Sequence, residues 1–187
     1  MITSVPGFTV GHYTDLKALT GCTVILCPPK TGASCEVRGA SPGSRELALL
    51  APDKTMSEIH ALLLTGGSAF GLNAAEGVMK WLEEHGVGYE TPWAKVPIVP
   101  AAVIFDLNVG DHSVRPNAKS GYEACSSASN TSAEGNIGAG TGATVGKWKG
   151  VDYWMKGGLG GSSTTVGELI VGTLAVVNAV GDIVDEQ

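Results

Sequence analysis

The sequence has 187 residues, of which 43% are hydrophobic and 16% are charged, and its formal net charge is −6. This length and composition fit a single globular domain piece spanning residues 1–187, and they exclude a disordered chain. The negative charge, together with the lack of a Lys- and Arg-rich cluster, argues against nucleic acid as a partner.

The sequence offers no membrane or metal signal. Residues 1–7 (MITSVPG) lack the charged start of a secretory signal, and no segment approaches the ~20 apolar residues that span a bilayer. No membrane partner is expected, and the cytoplasm is the predicted location. The four cysteines form no C-x-x-C pair and no histidines lie at metal spacing, so neither a metal nor a cofactor is expected.

The first forty residues favour β-structure. Residues 8–13 and 20–27 are rich in β-branched and apolar side chains, which predicts two strands, the second ending at the prolines 28–29. Residues 33–38 are predicted to be the hairpin partner of the second strand, across a turn that contains Gly32.

A strand, a glycine turn and a helix are predicted next. Residues 59–64 form a short apolar run that ends in Thr-Gly-Gly. Ser68 is the predicted N-cap of the helix, and apolar residues recur at helical spacing from Phe70 to Leu82. Gly86 is expected to end the helix.

The remaining segments complete an α+β pattern. Residues 96–106 are a further β candidate, and residues 117–129 predict a second helix. Beyond residue 134 the chain is rich in glycine and β-branched residues, with strands predicted at 155–166 and 169–184. The prediction is a layered α+β fold that is β-rich at both ends.

Two glycine motifs match known patterns by letter only. Residues 138–143 (GAGTGA) resemble a dinucleotide-binding loop, which needs a strand-to-helix turn and an acidic residue ~20 positions later. Here β-type sequence continues on both sides, and the next acidic residue is Asp152. Residues 142–147 are one spacer too short for a phosphate loop, and Trp148 replaces the hydroxyl that would hold magnesium. Neither motif is therefore assigned a function.

Five segments in fixed order carry a family resemblance that covers nearly the whole chain. The segments are residues 66–72 (GGSAFGL), 97–106 (PIVPAAVIFD), 135–147 (GNIGAGTGATVGK), 156–160 (KGGLG) and 171–182 (VGTLAVVNAVGD). With these segments in this order, the chain resembles the L-aminopeptidase/D-esterase family, which includes the nylon-oligomer endohydrolases and β-aminopeptidases.

The resemblance implies a fold and a mechanism. Family members have an αββα sandwich like that of N-terminal-nucleophile hydrolases, and they cleave their own chain before a Ser or Thr. The hydroxyl of that residue attacks amide bonds, and its α-amine, with an ordinary pKa of ~7.7–8.0, serves as the base. The implied partners are a companion C-terminal subunit, a small peptide or amide substrate, and further copies in a homo-oligomer.

The sequence ends just past the last of the five segments and contains no such nucleophile. The resemblance therefore implies that this chain matches the larger N-terminal subunit. Either the companion subunit is a separate chain, or the remainder of the precursor is missing from the sequence.

Three residues take roles from the resemblance. Asn178 aligns with an asparagine of the oxyanion hole, a task that suits a neutral amide donor. Lys147 aligns with a lysine near the nucleophile, where an ammonium favours a neutral amine and stabilises oxyanion charge. Phe105 falls where several relatives have tyrosine, so it keeps the ring without the hydroxyl and is expected to line the substrate pocket.

Other functions stay open. Ser68 nearly fits the nucleophile elbow G-x-S-x-G, but Phe70 replaces the second glycine. A non-catalytic binding protein on the same scaffold is one alternative, because a fold does not determine a function. An acetyl-transferring relative is another, and it would pass the acyl group to an amine instead of water.

Overall fold

A computed structural model describes residues 1–184. The helices are α1 (Ala74–Glu84) and α2 (Ala118–Ser126). The strands are β1 (Thr9–Asp15), β2 (Thr20–Thr31), β3 (Ser44–Arg45), β4 (Ile59–Thr65), β5 (Tyr89–Glu90), β6 (Lys95–Val96), β7 (Ala101–Val103), β8 (Thr144–Val145), β9 (Met155–Lys156), β10 (Gly158–Gly160), β11 (Ser163–Val166), β12 (Leu169–Gly172) and β13 (Ala175–Val177).

The main sheet has five strands in the order β1-β2-β4-β7-β3. The β4–β7 pair is parallel and the other pairs are antiparallel. The strands predicted at residues 8–13, 20–27 and 59–64 are confirmed as β1, β2 and β4. Strand β2 runs past its two prolines because the register shifts between Leu26 and Thr31, a bulge that needs no ladder hydrogen bond from proline.

The hairpin partner predicted at residues 33–38 is wrong. These residues form no strand and are exposed, and β2 pairs instead with β1 and β4. Among the described residues, the side chains of Glu36 and Arg38 bond only to each other. The alternate apolar residues Ala33, Cys35 and Val37 are exposed, so no apolar face is buried against the sheet, and burial of such a face is what stabilises a strand.

The predicted start of the first helix is also wrong. Residues 68–73 form a 3₁₀ helix, and α1 begins only at Ala74, after Asn73, with no side-chain cap. Ser68 has a positive φ of 53°, and the Phe70 side chain is 59% exposed. A 3₁₀ helix has three residues per turn, whereas the predicted spacing was that of an α-helix. Phe70, counted at α-helical spacing, therefore does not lie on the buried face. Helix α2, by contrast, begins as predicted, with Asn117 in a capping box.

Helices α1 and α2 pack closely on one face of the sheet. Gly77 lies against the carbonyl of Ala118 and Gly121 against that of Ala74, so the helices are antiparallel and a side chain at either glycine would separate them. The core between helices and sheet consists of buried apolar residues: Cys22, Val24, Ala61, Leu63, Ala74, Ala75, Val78, Leu82, Val99, Ala101, Ala124 and Cys125.

The opposite face of the sheet carries the glycine-rich segment and a second β layer. Cys22 and Val24 point toward the helices, so Thr23 between them points to the other face, where its hydroxyl accepts a hydrogen bond from the Ala139 backbone (3.1 Å). The pairs β8–β9 and β10–β13 follow in this layer. Residues 1–184 therefore contain a helix layer and two β layers, which agrees with the predicted α+β sandwich.

Candidate active site

Asn178 lies directly after β13 and holds together three parts of the chain. Its Oδ1 accepts hydrogen bonds from the Thr144 backbone N–H (3.0 Å) and from the Lys147 ammonium (3.0 Å). Its Nδ2 donates to the carbonyl oxygen of Phe105 (3.0 Å). Asn178 is thus in direct contact with both Lys147 and Phe105, the other two residues to which the sequence assigns a role.

These partners determine which way the Asn178 amide faces. If the amide were flipped, Nδ2 would meet two donors and Oδ1 would face the Phe105 carbonyl, so only the stated orientation satisfies all three contacts. An amide nitrogen has two hydrogens, and one is used on Phe105. The other has no acceptor among residues 1–184, and Asn178 is only partly buried. A donor hydrogen is therefore available to a bound molecule.

All three donors of the Lys147 ammonium are used within the chain. Besides Asn178, Nζ donates to the carbonyl oxygens of Thr144 (2.7 Å) and Ala179 (3.2 Å). Burial lowers the pKa of Lys147 from its ordinary value. The three acceptors around it are matched to a protonated amine, which has three donors and no acceptor. Lys147 therefore contacts Asn178 and the backbone around it, and its positive charge lies within hydrogen-bond distance of the Asn178 carboxamide.

Backbone contacts hold the segments of Lys147 and Asn178 side by side. The Gly146 N–H donates to the carbonyl of Gly181 (2.9 Å), and the Lys147 N–H donates to that of Val180 (2.8 Å). Further along the chain, the Gly138 N–H donates to the Thr14 hydroxyl on β1 (2.8 Å). The glycine-rich segment is therefore attached both to the main sheet and to the chain that follows β13.

His12 supports the same segment from the main sheet. Its ring nitrogens lie 3.0 Å from the Thr23 hydroxyl and 3.1 Å from the Ser132 hydroxyl. Thr23 in turn holds the Ala139 backbone. Burial lowers the pKa of His12. The ring links β1, β2 and the loop before the glycine-rich segment, which is a structural arrangement and not a pairing of a base with a carboxylate.

The ring of Phe105 lies at the surface of the described residues, with 54% of the residue exposed. Its carbonyl group, and not its ring, makes the contact with Asn178. The ring is accordingly free to contact a bound molecule beside the amide, as a pocket-lining residue would.

Two residues near the site were not assigned a role by sequence reasoning. Thr144 supplies the backbone donor that orients Asn178, and nothing in the local pattern marks it. Asp106 follows Phe105 and is only 4% exposed. An acidic residue that ends the apolar run 98–105 is the signal that could have identified a buried, partnered carboxylate.

The competing sites find little support. Within residues 1–184 the hydrogen bonds of the histidine rings go to Thr23, Ser132, Ile98 and Trp81, and none involves Ser68. Ser68 therefore has no histidine base in the described chain.

In the same range no three His, Cys, Asp or Glu side chains lie close enough to hold a metal ion. None of the described helices combines the length and apolar character needed to cross a bilayer.

The fold is that of the N-terminal-nucleophile hydrolase class. The chain superposes with a TM-score of 0.76 on the L-aminopeptidase D-Ala-esterase/amidase of Ochrobactrum anthropi, whose structure is described as a variant of that fold. The match covers 95% of this chain and 52% of that one at 20% identity. A β-aminopeptidase of Burkholderia sp. superposes with a TM-score of 0.66 over 95% of this chain and 51% of that one, at 23% identity.

The chain belongs to peptidase family S58, whose model matches residues 1–185. An uncharacterized aminopeptidase of Mycobacterium tuberculosis is 47% identical over 98% of this chain and 54% of the relative. A 6-aminohexanoate-oligomer endohydrolase of Kocuria sp. is 31% identical over 96% of this chain and 48% of the relative. The family resemblance found in the sequence is confirmed, and the chain spans about half the length of these curated relatives.

Proposed function

We propose that this chain is the larger, N-terminal subunit of a self-processing amide hydrolase. Membership of a peptidase family supports hydrolysis of amide bonds. Relatives named as aminopeptidases and as an oligomer endohydrolase extend to about twice the length matched here. In the proposal, the polypeptide that follows in the gene supplies a companion subunit whose first residue, Ser or Thr, is the nucleophile.

The unused hydrogen on Asn178 Nδ2 is the observation that carries the proposal. Attack on an amide carbonyl places negative charge on its oxygen, and a donor that is already in place stabilises this charge without reorganising water. Three contacts orient Asn178, so the direction of its free N–H is set before substrate binds. In the proposed mechanism this N–H donates to the oxyanion.

Lys147 assists this donor in the proposed mechanism. Its ammonium binds Asn178 Oδ1 and polarises the amide, which makes the N–H on the other side a stronger donor. Because all its hydrogens are used, Lys147 acts on the oxyanion through its charge and through Asn178. The same charge disfavours protonation of a nearby amine, and a neutral α-amine is what the nucleophile needs as its base.

The Phe105 ring forms an apolar wall of the substrate pocket in this proposal. Its exposure and its place next to the Asn178 contact support this role. The expected substrates are small amides or peptides. Within that class the names of the relatives suggest two probes, amino-acid p-nitroanilides for an aminopeptidase and 6-aminohexanoate oligomers for an endohydrolase.

Expression of the full gene tests the proposal. Intact mass and denaturing electrophoresis should show two polypeptides, the smaller beginning with Ser or Thr, and the mixture should release p-nitroaniline or 6-aminohexanoate. Replacing that Ser or Thr by alanine is the matched control, and it should leave one inactive polypeptide. A single uncleaved polypeptide with full activity would contradict self-processing. An acetylated amine product, in place of a free acid, would favour the transferase alternative.

A further inference from the structure

Asp106 is a buried carboxylate whose two oxygens are both bonded to other parts of the chain. Its Oδ2 accepts from the Thr20 hydroxyl at the start of β2 (2.7 Å). Its Oδ1 accepts from the Gly67 N–H in the turn that follows β4 (2.7 Å). A buried charge is stable only with such partners, so the side chain holds these two neighbouring strand ends to the segment after β7.

The space around this carboxylate is closed. Gly66 and Gly142 both lie against Asp106, and a β-carbon at either position would overlap its carboxylate. Burial lowers the pKa of Lys156, and the charge of Asp106 opposes that shift, which places the two charges near each other. The side chain of Asp106 therefore has one position, and its backbone is held with it.

That backbone orients Asn178. The peptide unit that contains the Asp106 nitrogen also contains the Phe105 carbonyl, and this carbonyl accepts the Asn178 Nδ2 hydrogen bond (3.0 Å). We propose that Asp106 is a positioning residue of the active site: by fixing the Phe105 carbonyl, it sets the direction of the remaining Asn178 N–H. This inference rests on the proposed function, in which that N–H binds the oxyanion.

Asp106→Ala and Asp106→Asn are expected to behave differently. Alanine loses both hydrogen bonds and frees the Phe105 peptide, and a misplacement of ~1 Å at a catalytic group costs about 10²-fold in rate. Asparagine keeps the shape. Its oxygen can still accept from Gly67, and Thr20 can rotate to accept from its amide. We therefore expect Asp106→Ala to lower kcat about 10²-fold with little change in KM, and Asp106→Asn to keep most of the activity.

A double-mutant cycle with Asn178→Ala separates positioning from a general structural role. The full gene product is used, with kcat divided by the processed fraction from intact mass, and a variant that stays unprocessed is measured with the two subunits expressed as separate chains and combined. If Asp106 acts through Asn178, Asp106→Ala has no further effect on kcat in the Asn178→Ala background. Asp111→Ala is the matched control, because Asp111 also accepts two hydrogen bonds, both from Ser113, but is exposed and does not contact the site. It should leave kcat unchanged.

The outcomes separate the inference from the function on which it rests. Suppose that Asn178→Ala lowers kcat, and that Asp106→Ala lowers kcat by the same factor in the Asn178→Ala background as in the unchanged protein. The oxyanion role then stands, and positioning by Asp106 is wrong. If Asn178→Ala alone keeps normal kcat, the oxyanion role itself is wrong. Should Asp106→Ala fail to fold, Thr20→Val removes one of the two hydrogen bonds and serves in its place. Full kcat in Thr20→Val would overturn the inference.

Discussion

Replacing Asn178 by alanine removes the proposed oxyanion donor together with the hydrogen bonds that its amide makes to Thr144, Lys147 and Phe105. Lys147 keeps its bonds to the carbonyls of Thr144 and Ala179, so its ammonium stays partnered. The Phe105 carbonyl loses its donor in a region that is largely exposed, where water can replace it. The Thr144 N–H loses its acceptor in a residue that is only 4% exposed. The free energy of unfolding should therefore fall by about 1–3 kcal/mol, the usual cost of leaving one buried donor without a partner.

The effect on catalysis should be larger. Loss of one oxyanion donor typically lowers kcat about 10²–10³-fold, or roughly 3–4 kcal/mol. Asn178→Asp should be worse. Its carboxylate can still accept from Thr144 and Lys147, but it has no hydrogen for the oxyanion, and its second oxygen opposes the Phe105 carbonyl.

The assay is steady-state hydrolysis of a p-nitroanilide, with thermal unfolding of each variant as the measure of stability. Asn178 is also a candidate for assisting self-cleavage, so the two subunits should be expressed as separate chains and combined. If Asn178→Ala then keeps more than about a third of the normal kcat, far above the loss expected for an oxyanion donor, the assigned role is wrong.

Three further predictions concern Lys147, Gly77 and His12. Lys147→Met should lower kcat about 10–100-fold, because a hydrogen bond to a charged group contributes ~1.5–3 kcal/mol and here it orients Asn178. Gly77→Ala should lower the free energy of unfolding by about 1–3 kcal/mol in denaturant titrations, because its methyl group meets the Ala118 carbonyl. The pKa of His12 is lowered by burial, so the stability it contributes is complete above its ordinary pKa of about 6.5 and is lost as the pH falls through the lowered pKa. The melting temperature should therefore fall from about pH 7 to about pH 5, and fall less in His12→Asn.

Each of these has a control and a contrary result. Lys149→Met changes an exposed lysine nearby and should keep normal kcat, whereas normal kcat in Lys147→Met would exclude a role for that ammonium. Gly160→Ala places a methyl group in open space, so it should be tolerated, and equal stability of the two glycine variants would contradict tight helix packing. Burial also lowers the pKa of His60. His60 therefore contributes to the pH dependence of the melting temperature equally in the unchanged protein and in His12→Asn. An unchanged pH dependence in His12→Asn would exclude His12 as its source.

Much of the secondary structure followed from local sequence. Strand β2 is mostly β-branched and apolar as far as Cys27, and β4 is mostly apolar. Helix α2 begins after an asparagine whose side chain bonds the first turn. These features depend on neighbouring residues only, so a pattern in the sequence is sufficient. The late start of α1 could not be predicted from local sequence, because Gly67 and Ser68 both adopt positive φ in a turn that contacts the segment after β7.

By itself the sequence determined the family, through five ordered segments, and with it the fold class and the choice of Asn178 and Lys147. Only the tertiary structure decided how these residues meet. Asn178 is 34 residues from Thr144 and 73 from Phe105 along the chain, and Asp106 is 86 from Thr20. Contacts at such separations arise from strand order and layer packing, which no local periodicity encodes. The direction of the free Asn178 N–H is therefore a property of the folded chain alone.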